Sequence, residues 1–384
     1  MKQIYMNYAA SSPGTSPYVT GGLTAYLNDN LHLNAGRNFE GLEDSLIALR
    51  ARKALAELFE ISHASNVLFT SGVTASLNMI LNGILKPGDH VLASGLEHNA
   101  VARPLELLRR NGIIEVEYLP HNQDGSMDAD MIHTRIKPHT RLLVMTHASN
   151  VLGTILPIKE SFAIAKSYGI TTVLDAAQTA GCYPVSMDKD TDILAFTGHK
   201  ALHGLAGIGG FVLKDGISDQ IRPWFTGGTG SASMQLMQPD FLPDKFEPGT
   251  PNTLGILSLA LSVEEICKIG IHEIRTKEVE LTQRFRAYCH QIPELIIDGP
   301  EDASKTVAVV SVHCPHIDSG VLARRLYEEH GIITRSGLHC APLAHQVAGT
   351  FPEGTLRFSF GYDTTMEDID ITCKALEQVL KTEM

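Results

Sequence analysis

Little in these 384 residues marks a disulfide scaffold, a membrane segment or a nucleic-acid surface. The six cysteines (Cys182, Cys267, Cys289, Cys314, Cys340, Cys373) follow no regular framework and form no C-x-x-C pair. Such usage suits reduced thiols and gives zinc little support. The dense cluster His313-Cys314-Pro315-His316 follows an apolar run, Val307 to Val312, and reads as a strand end. There is no basic excess: the formal net charge is −12, which excludes phosphate neutralisation on nucleic acid as a main role and disfavours anionic membranes. No stretch has the length of a membrane span, and Met1 to Asn7 lacks an apolar leader, so a cytoplasmic location is expected. Internal repeats and low-complexity tracts are also missing.

What is present is an ordinary water-soluble composition, 43% hydrophobic and 19% charged, in a chain long enough for two cores. Leu42, Leu46, Leu49, Leu55, Leu58 and Phe59 recur at helical spacing between Gly41 and Glu60. Beyond them, apolar strands alternate with helices. The spacing predicts strands at Val67 to Phe69, His90 to Ala93, Ile113 to Leu119, Leu142 to Met145, Thr172 to Leu174, Ile193 to Phe196 and Ile208 to Leu213. Helices are expected at Thr74 to Leu85, Ala100 to Arg110 and Lys159 to Tyr168. This order signals an α/β fold with a mostly parallel sheet covered on both faces. A loop rich in Gly, Ser and Pro, Thr226 to Pro251, interrupts the pattern, and loops of that length are commonly functional. After it come a helix at Leu254 to Ile269 and a smaller α+β tail that closes with a helix from Met366, opened by a capping-box match at Thr365 to Asp368.

Ligands of open α/β sheets sit beyond the carboxyl ends of strands, and four such ends carry chemistry. Thr70-Ser71-Gly72-Val73-Thr74 offers backbone N–H groups, hydroxyls and a helix start to a phosphate, although an ordinary cap has the same look. Asp175-Ala176-Ala177-Gln178 ends a buried strand with a carboxylate that can hold a protonated pyridine nitrogen or simply cap the next helix. Thr197-Gly198-His199-Lys200 places an amine that can form an imine with an aldehyde, or lie on the surface. The glycine run Gly204 to Gly210 precedes a strand rather than a helix and is no dinucleotide fingerprint. Glu97-His98-Asn99 puts an imidazole beyond another strand, where it can stack on a ring, act as acid or base, or serve the structure alone.

Those segments, with Tyr5-Met6-Asn7-Tyr8-Ala9-Ala10, Ser149 to Thr154, Gly249 to Thr253 and Arg335-Ser336-Gly337-Leu338-His339-Cys340-Ala341, resemble the class V aminotransferase family of fold-type I pyridoxal-phosphate (PLP) enzymes. Within it the chain looks like the group II cysteine desulfurases, a branch that includes selenocysteine lyases. The resemblance implies a large, mostly parallel seven-stranded-type sheet domain over residues 16–255 and a smaller α+β domain from residues 1–15 with 256–384. It implies that Lys200 carries the cofactor, His98 stacks on its ring, Asp175 pairs with the ring nitrogen and Gln178 contacts the ring oxygen. Gly72, Val73, Thr74, Thr197 and His199 would hold the phosphate, and Gly228 and Thr229 would reach that of a neighbouring subunit in a homodimer. Asn150 and Arg357 would hold the substrate carboxylate. Cys340, flanked by Arg335 and His339, becomes the sulfur nucleophile.

The implied reaction converts L-cysteine to L-alanine, leaving a persulfide on Cys340 for an acceptor. That acceptor would be a sulfur-relay protein, an iron–sulfur assembly scaffold or a tRNA-modifying enzyme. Selenocysteine lyase activity, transamination or epimerisation of another small amino acid, and a non-catalytic scaffold are the alternatives. Two departures stand out: Asn7-Tyr8 where relatives usually have Asp-Asn, and Val73 where Thr or Ala is frequent.

Overall fold

The computed structural model describes residues 3–28, 42–187 and 191–383. Its strands, in chain order, are β1 (Ile4–Tyr5), β2 (Val67–Thr70), β3 (Asp89–Ser94), β4 (Ile114–Leu119), β5 (Thr140–Thr146), β6 (Thr171–Asp175) and β7 (Ile193–Thr197). There follow β8 (Gly209–Leu213), β9 (Ile296–Asp298), β10 (Val309–His313), β11 (Ile332–Ile333), β12 (Arg335–Gly337) and β13 (Thr355–Ser359). The expected seven-stranded sheet is present in the order β2-β8-β7-β6-β5-β3-β4. Strands β4, β3, β5, β6 and β7 pair in parallel, whereas β8 runs antiparallel to both of its neighbours.

Burial on both faces explains why these strands read as nearly continuous apolar runs. Side chains alternate between two cores, as a two-residue period requires. Leu92, Leu143, Leu174, Leu194 and Val212 enter one core. Val91, Leu142, Val173, Ile193 and Phe211 enter the other. Each such side chain stabilises the fold by roughly 1.5–3 kcal/mol relative to exposure, and the alternation fixes the register.

A smaller antiparallel sheet, β12-β13-β10-β9, covers a third core. The N-terminal strand β1 pairs in parallel with β11, Ile4 opposite Ile332, and Ile4 and Met6 pack into that third core. The capping box closes reciprocally: Asp368 N–H donates to Thr365 Oγ1 at 3.1 Å, and Thr365 N–H to Asp368 Oδ2 at 3.1 Å. His313 does end a strand, and its Nδ1 lies 3.0 Å from Asp298 Oδ2.

Some expectations are revised. The helix expected from Gly41 runs Leu42–Leu58; Gly41 lies outside the described residues, and Leu46 and Leu49 of its stripe are exposed. The expected strand Val307 to Val312 begins at Val309. No helix among the described residues is long and apolar enough to cross a membrane.

Candidate functional site

Because β5, β6 and β7 are parallel neighbours, their last residues Thr146, Asp175 and Thr197 gather at one edge of the sheet. A cavity of about 180 Å³ opens there. Of the residues singled out from the sequence, Val73, Thr74, His98, Asn150 and Asp175 line it. So do Gln178, Thr197, His199, Lys200 and Arg357. Positions scattered over nearly 300 residues thus converge on one volume.

One end of the cavity suits an anion. The helix Val73–Ile84 starts there, its first turn leaving backbone N–H groups free of intrahelical partners. Gly72 precedes it at φ 146°, a conformation that side-chain-bearing residues rarely adopt. It packs so tightly on β8 that a Cβ on Gly209 would lie 2.7 Å from the Gly72 Cα. Gly72 therefore shapes the turn without lining the cavity. Thr197 Oγ1 and His199 Nδ1, 3.1 Å apart, complete a polar collar.

A second part of the lining can meet a ring nitrogen. Asp175 is buried, and Oδ1 accepts from the N–H of Ala177 at 2.9 Å. Burial pushes its pKa up, while that N–H and the Lys200 ammonium pull it down. His98 caps the helix Asn99–Arg110 by accepting from the N–H of Ala100 at Nδ1, 3.0 Å away. The cap and the functional reading are compatible: the ring is oriented by the cap and still faces the cavity. Burial, with help from Lys200 and nearby arginines, lowers its pKa to about 4, so the imidazole is neutral with its proton on Nε2. Gln178 Nε2 donates to the Ala9 carbonyl at 3.0 Å. Lys200, burdened by burial and opposed by Asp175, has its pKa lowered to about 8.

A third part of the lining is cationic. Arg357 on β13 is 1% exposed. It donates from Nη1 to the Asn150 carbonyl at 2.9 Å and from Nη2 to Asn7 Oδ1 at 3.1 Å, while its Nε has no partner. Arg335 and His339 also line the cavity. Their place in a cysteine-bearing motif was legible, but not that they face Lys200.

Cys340 is the exposed member of the six free cysteines. It lines a second cavity, of about 400 Å³, that shares Thr74 and His98 with the first. His339 and Cys340 both take left-handed backbone conformations, φ 50° and 57°, a costly arrangement for non-glycine residues that the surroundings must hold in place. Asn150 Nδ2 donates to the His339 carbonyl at 2.8 Å, and Asn99 N–H to the Cys340 carbonyl at 2.8 Å. Arg335 Nη2 lies 3.8 Å from Cys340 Sγ.

Gly228 and Thr229 line neither cavity. They lie in the long loop, where Gly228 accepts from Gly249 N–H at 2.7 Å and Thr229 Oγ1 is 3.1 Å from Ser231 Oγ. Glu97 escaped sequence reasoning as a functional candidate. It is fully buried beside Asp175, accepts at Oε1 from Ser94 Oγ and Thr146 N–H, and has its pKa raised to about 8 by burial.

Proteins of similar sequence and fold match nearly the whole chain. A cysteine desulfurase of Pectobacterium atrosepticum is 28% identical over 383 residues, covering 98% of this chain and 92% of the relative. The apo structure of a cysteine desulfurase from Thermococcus onnurineus NA1 superposes with a TM-score of 0.91 at 28% identity, over 99% of this chain and 95% of that one. The cysteine desulfurase CsdA (S-sulfonic acid) from Escherichia coli gives 0.88 at 26% identity, with the same coverage. The family described as aminotransferase class-V matches residues 4–372, and the chain belongs to that family.

Proposed function

We propose that this protein is a PLP-dependent cysteine desulfurase that forms L-alanine from L-cysteine and passes the sulfur, through a persulfide on Cys340, to an acceptor. The carrying observation is an exposed cysteine held in a strained loop against a cavity that contains a lysine of lowered pKa and a buried arginine. Support comes from relatives that are themselves named cysteine desulfurases.

The residues present fit the cofactor. The start of the helix Val73–Ile84, with Thr74, Thr197 and His199, would take its phosphate. Asp175 would meet the ring nitrogen, Gln178 the ring oxygen, His98 the ring face, and Lys200 the aldehyde. When bound, PLP supplies an electrophilic carbon for amines and a sink for the electron pair left at the substrate Cα.

The protein's own groups do the rest. Arg357 and Asn150 hold the substrate carboxylate, which orients the Cα–H bond toward Lys200. A lysine with a pKa near 8 has an appreciable unprotonated fraction at neutral pH, so it can accept the α-proton. His98, with its proton on Nε2, donates where charge develops. The Cys340 thiolate attacks the substrate sulfur; the new S–S bond forms as the substrate C–S bond breaks, with its electron pair going to carbon. Protonation of that carbon, and return of the proton held by Lys200 to Cα, yield alanine, and an acceptor thiol then takes the sulfur.

A homodimer fits the long loop. Trp224 and Phe225 just before it, and Met234, Leu236, Met237 and Phe241 within it, are all exposed around Gly228 and Thr229. Large exposed apolar side chains in one segment favour association. In this reading a second copy covers the loop, and Gly228-Thr229 reach the partner's phosphate site.

The test is to incubate the holoenzyme with L-cysteine and a thiol acceptor and to measure alanine. Alanine should form catalytically with the unaltered protein and fall steeply in Cys340→Ala. Alanine formed without dependence on Cys340 would remove the persulfide route, and conversion of L-cysteine to other products would remove the desulfurase assignment.

A further inference from the structure

The guanidinium of Arg357 is a nearly fully buried cation whose fixed partners are uncharged. Its hydrogen bonds go to a backbone carbonyl, that of Asn150, and to the amide oxygen of Asn7. The ionisable groups that bear on it are a second guanidinium, Arg335, the thiol of Cys340 and the phenol of Tyr5, none of them a carboxylate. Its Nε faces no acceptor. Removing one partner of a buried charge is costly because desolvation goes uncompensated, so a guanidinium held this way retains a strong demand for an anion.

Position 7 is placed by the fold, not by chance. Asn7 forms a parallel bridge with Ser359, and Ala9 N–H donates to Ser359 Oγ at 2.9 Å. Ser359 is two residues beyond Arg357 on β13, hence on the same face of the strand. The N-terminal segment is thereby laid along β13 with Asn7 beside the guanidinium. The Asn7 carbonyl lies 3.4 Å from Tyr5 Oη, which also donates to the Ser11 carbonyl at 2.8 Å, holding the segment's course. An aspartate at this position would be nearly isosteric with Asn7 and would neutralise Arg357 from within the protein.

We propose that Asn7 is a positioning residue that sets the site's affinity for carboxylates: its uncharged amide oxygen fixes Arg357 in place without consuming its charge. The inference rests on the reading above that Arg357 receives the substrate carboxylate, and it adds the group that keeps that charge available. It also makes an unusual coupling. Asn7→Asp gives the buried cation a partner, so it stabilises the fold while weakening ligand binding, whereas damage to a merely structural residue lowers both together.

The experiment compares two ligands on the holoenzyme by calorimetry: L-alanine, which has the carboxylate, and ethylamine, which keeps the amine and lacks it. For Asn7→Asp, the expected results are a raised melting temperature, a dissociation constant for L-alanine increased by about tenfold or more, and an unchanged constant for ethylamine. Asn7→Leu removes the acceptor without adding charge; it should weaken L-alanine selectively and lower the melting temperature. The proposal is overturned if Asn7→Asp leaves L-alanine affinity unchanged, weakens both ligands alike, or fails to fold. It is equally overturned if the unaltered protein does not prefer L-alanine to ethylamine. Failure of the unaltered enzyme to turn over L-cysteine would instead count against the desulfurase reading, and leaves the two-ligand comparison intact.

Discussion

The backbone N–H of Asn99 donates to the carbonyl of Cys340 at 2.8 Å, tying the residue after His98 to the loop that carries the exposed thiol. His98 and the proposed nucleophile are therefore held by one short link, although 242 residues separate them in sequence.

That link leaves the thiol itself open to solvent, and a selective reaction follows. Cys340 should be the first cysteine modified by iodoacetamide in the native protein, because Cys182, Cys289, Cys314 and Cys373 are buried and Cys267 is partly so. Burial also raises the thiols of Cys182, Cys289 and Cys373, further suppressing their thiolates. Peptide mapping after brief alkylation checks this; modification spread evenly over the six would contradict the structure.

Lys200 supplies a pH signature. Burial lowers its pKa to about 8 from an ordinary 10.5, so the unprotonated amine grows as pH rises through 8 rather than through 10.5. The rate at which apo-protein takes up PLP, followed by visible absorbance, should therefore rise with pH and level off above roughly 8 to 9. Lys200→Ala should abolish the covalent spectral signature.

Glu97 makes a stability prediction of opposite sense to a salt-bridged acid. Its folded pKa, about 8, lies above the ordinary 4.5, so the folded state keeps a proton that the unfolded chain releases. Stability from this group is thus lost progressively as pH rises from about 4.5 to 8 and is constant beyond. Glu97→Gln keeps an oxygen for Ser94 and Thr146 and removes the titration. It should flatten the pH dependence and stabilise the protein at pH 8 to 9 by on the order of 1–3 kcal/mol, read by urea unfolding across pH.

Gly209→Ala tests the turn proposed to hold phosphate. The added Cβ would meet both the Gly72 Cα and the Phe196 carbonyl at 2.7 Å, backbone atoms that cannot swing aside. A loss of about 1–3 kcal/mol in stability, with weakened PLP affinity, is expected from chemical denaturation and cofactor titration.

Much of this was legible in the sequence wherever local pattern and burial agree. The sheet strands announced themselves because both faces are covered, and the strand-end residues Asp175, Thr197 and Lys200 stood next to those runs. The helix Ile271–Cys289 did not, since its inward face carries Glu278 and Arg286 among Leu281 and Phe285 and breaks the apolar stripe. The helix Pro17–Asn28 was hidden by Gly21 and Gly22 and buries Val19 alone; Gly22 approaches Leu261 so closely that its Cβ would lie 2.5 Å from Cδ1. Strands β1, β9 and β12 are two or three residues long and exist through pairing with distant partners. The bond between Asn7 and Arg357 spans 350 positions, beyond the reach of periodicity or spacing.

The central claim is that sulfur leaves L-cysteine by way of Cys340. Mixing holoenzyme with excess L-cysteine in the absence of any acceptor tests it most directly, with alanine counted against active sites and the peptide containing Cys340 examined by mass spectrometry. A rapid burst of one alanine per site, with one extra sulfur on Cys340 and a slow phase thereafter, is the predicted result. A burst of the same size in Cys340→Ala, or alanine formed while Cys340 stays unmodified, would contradict it.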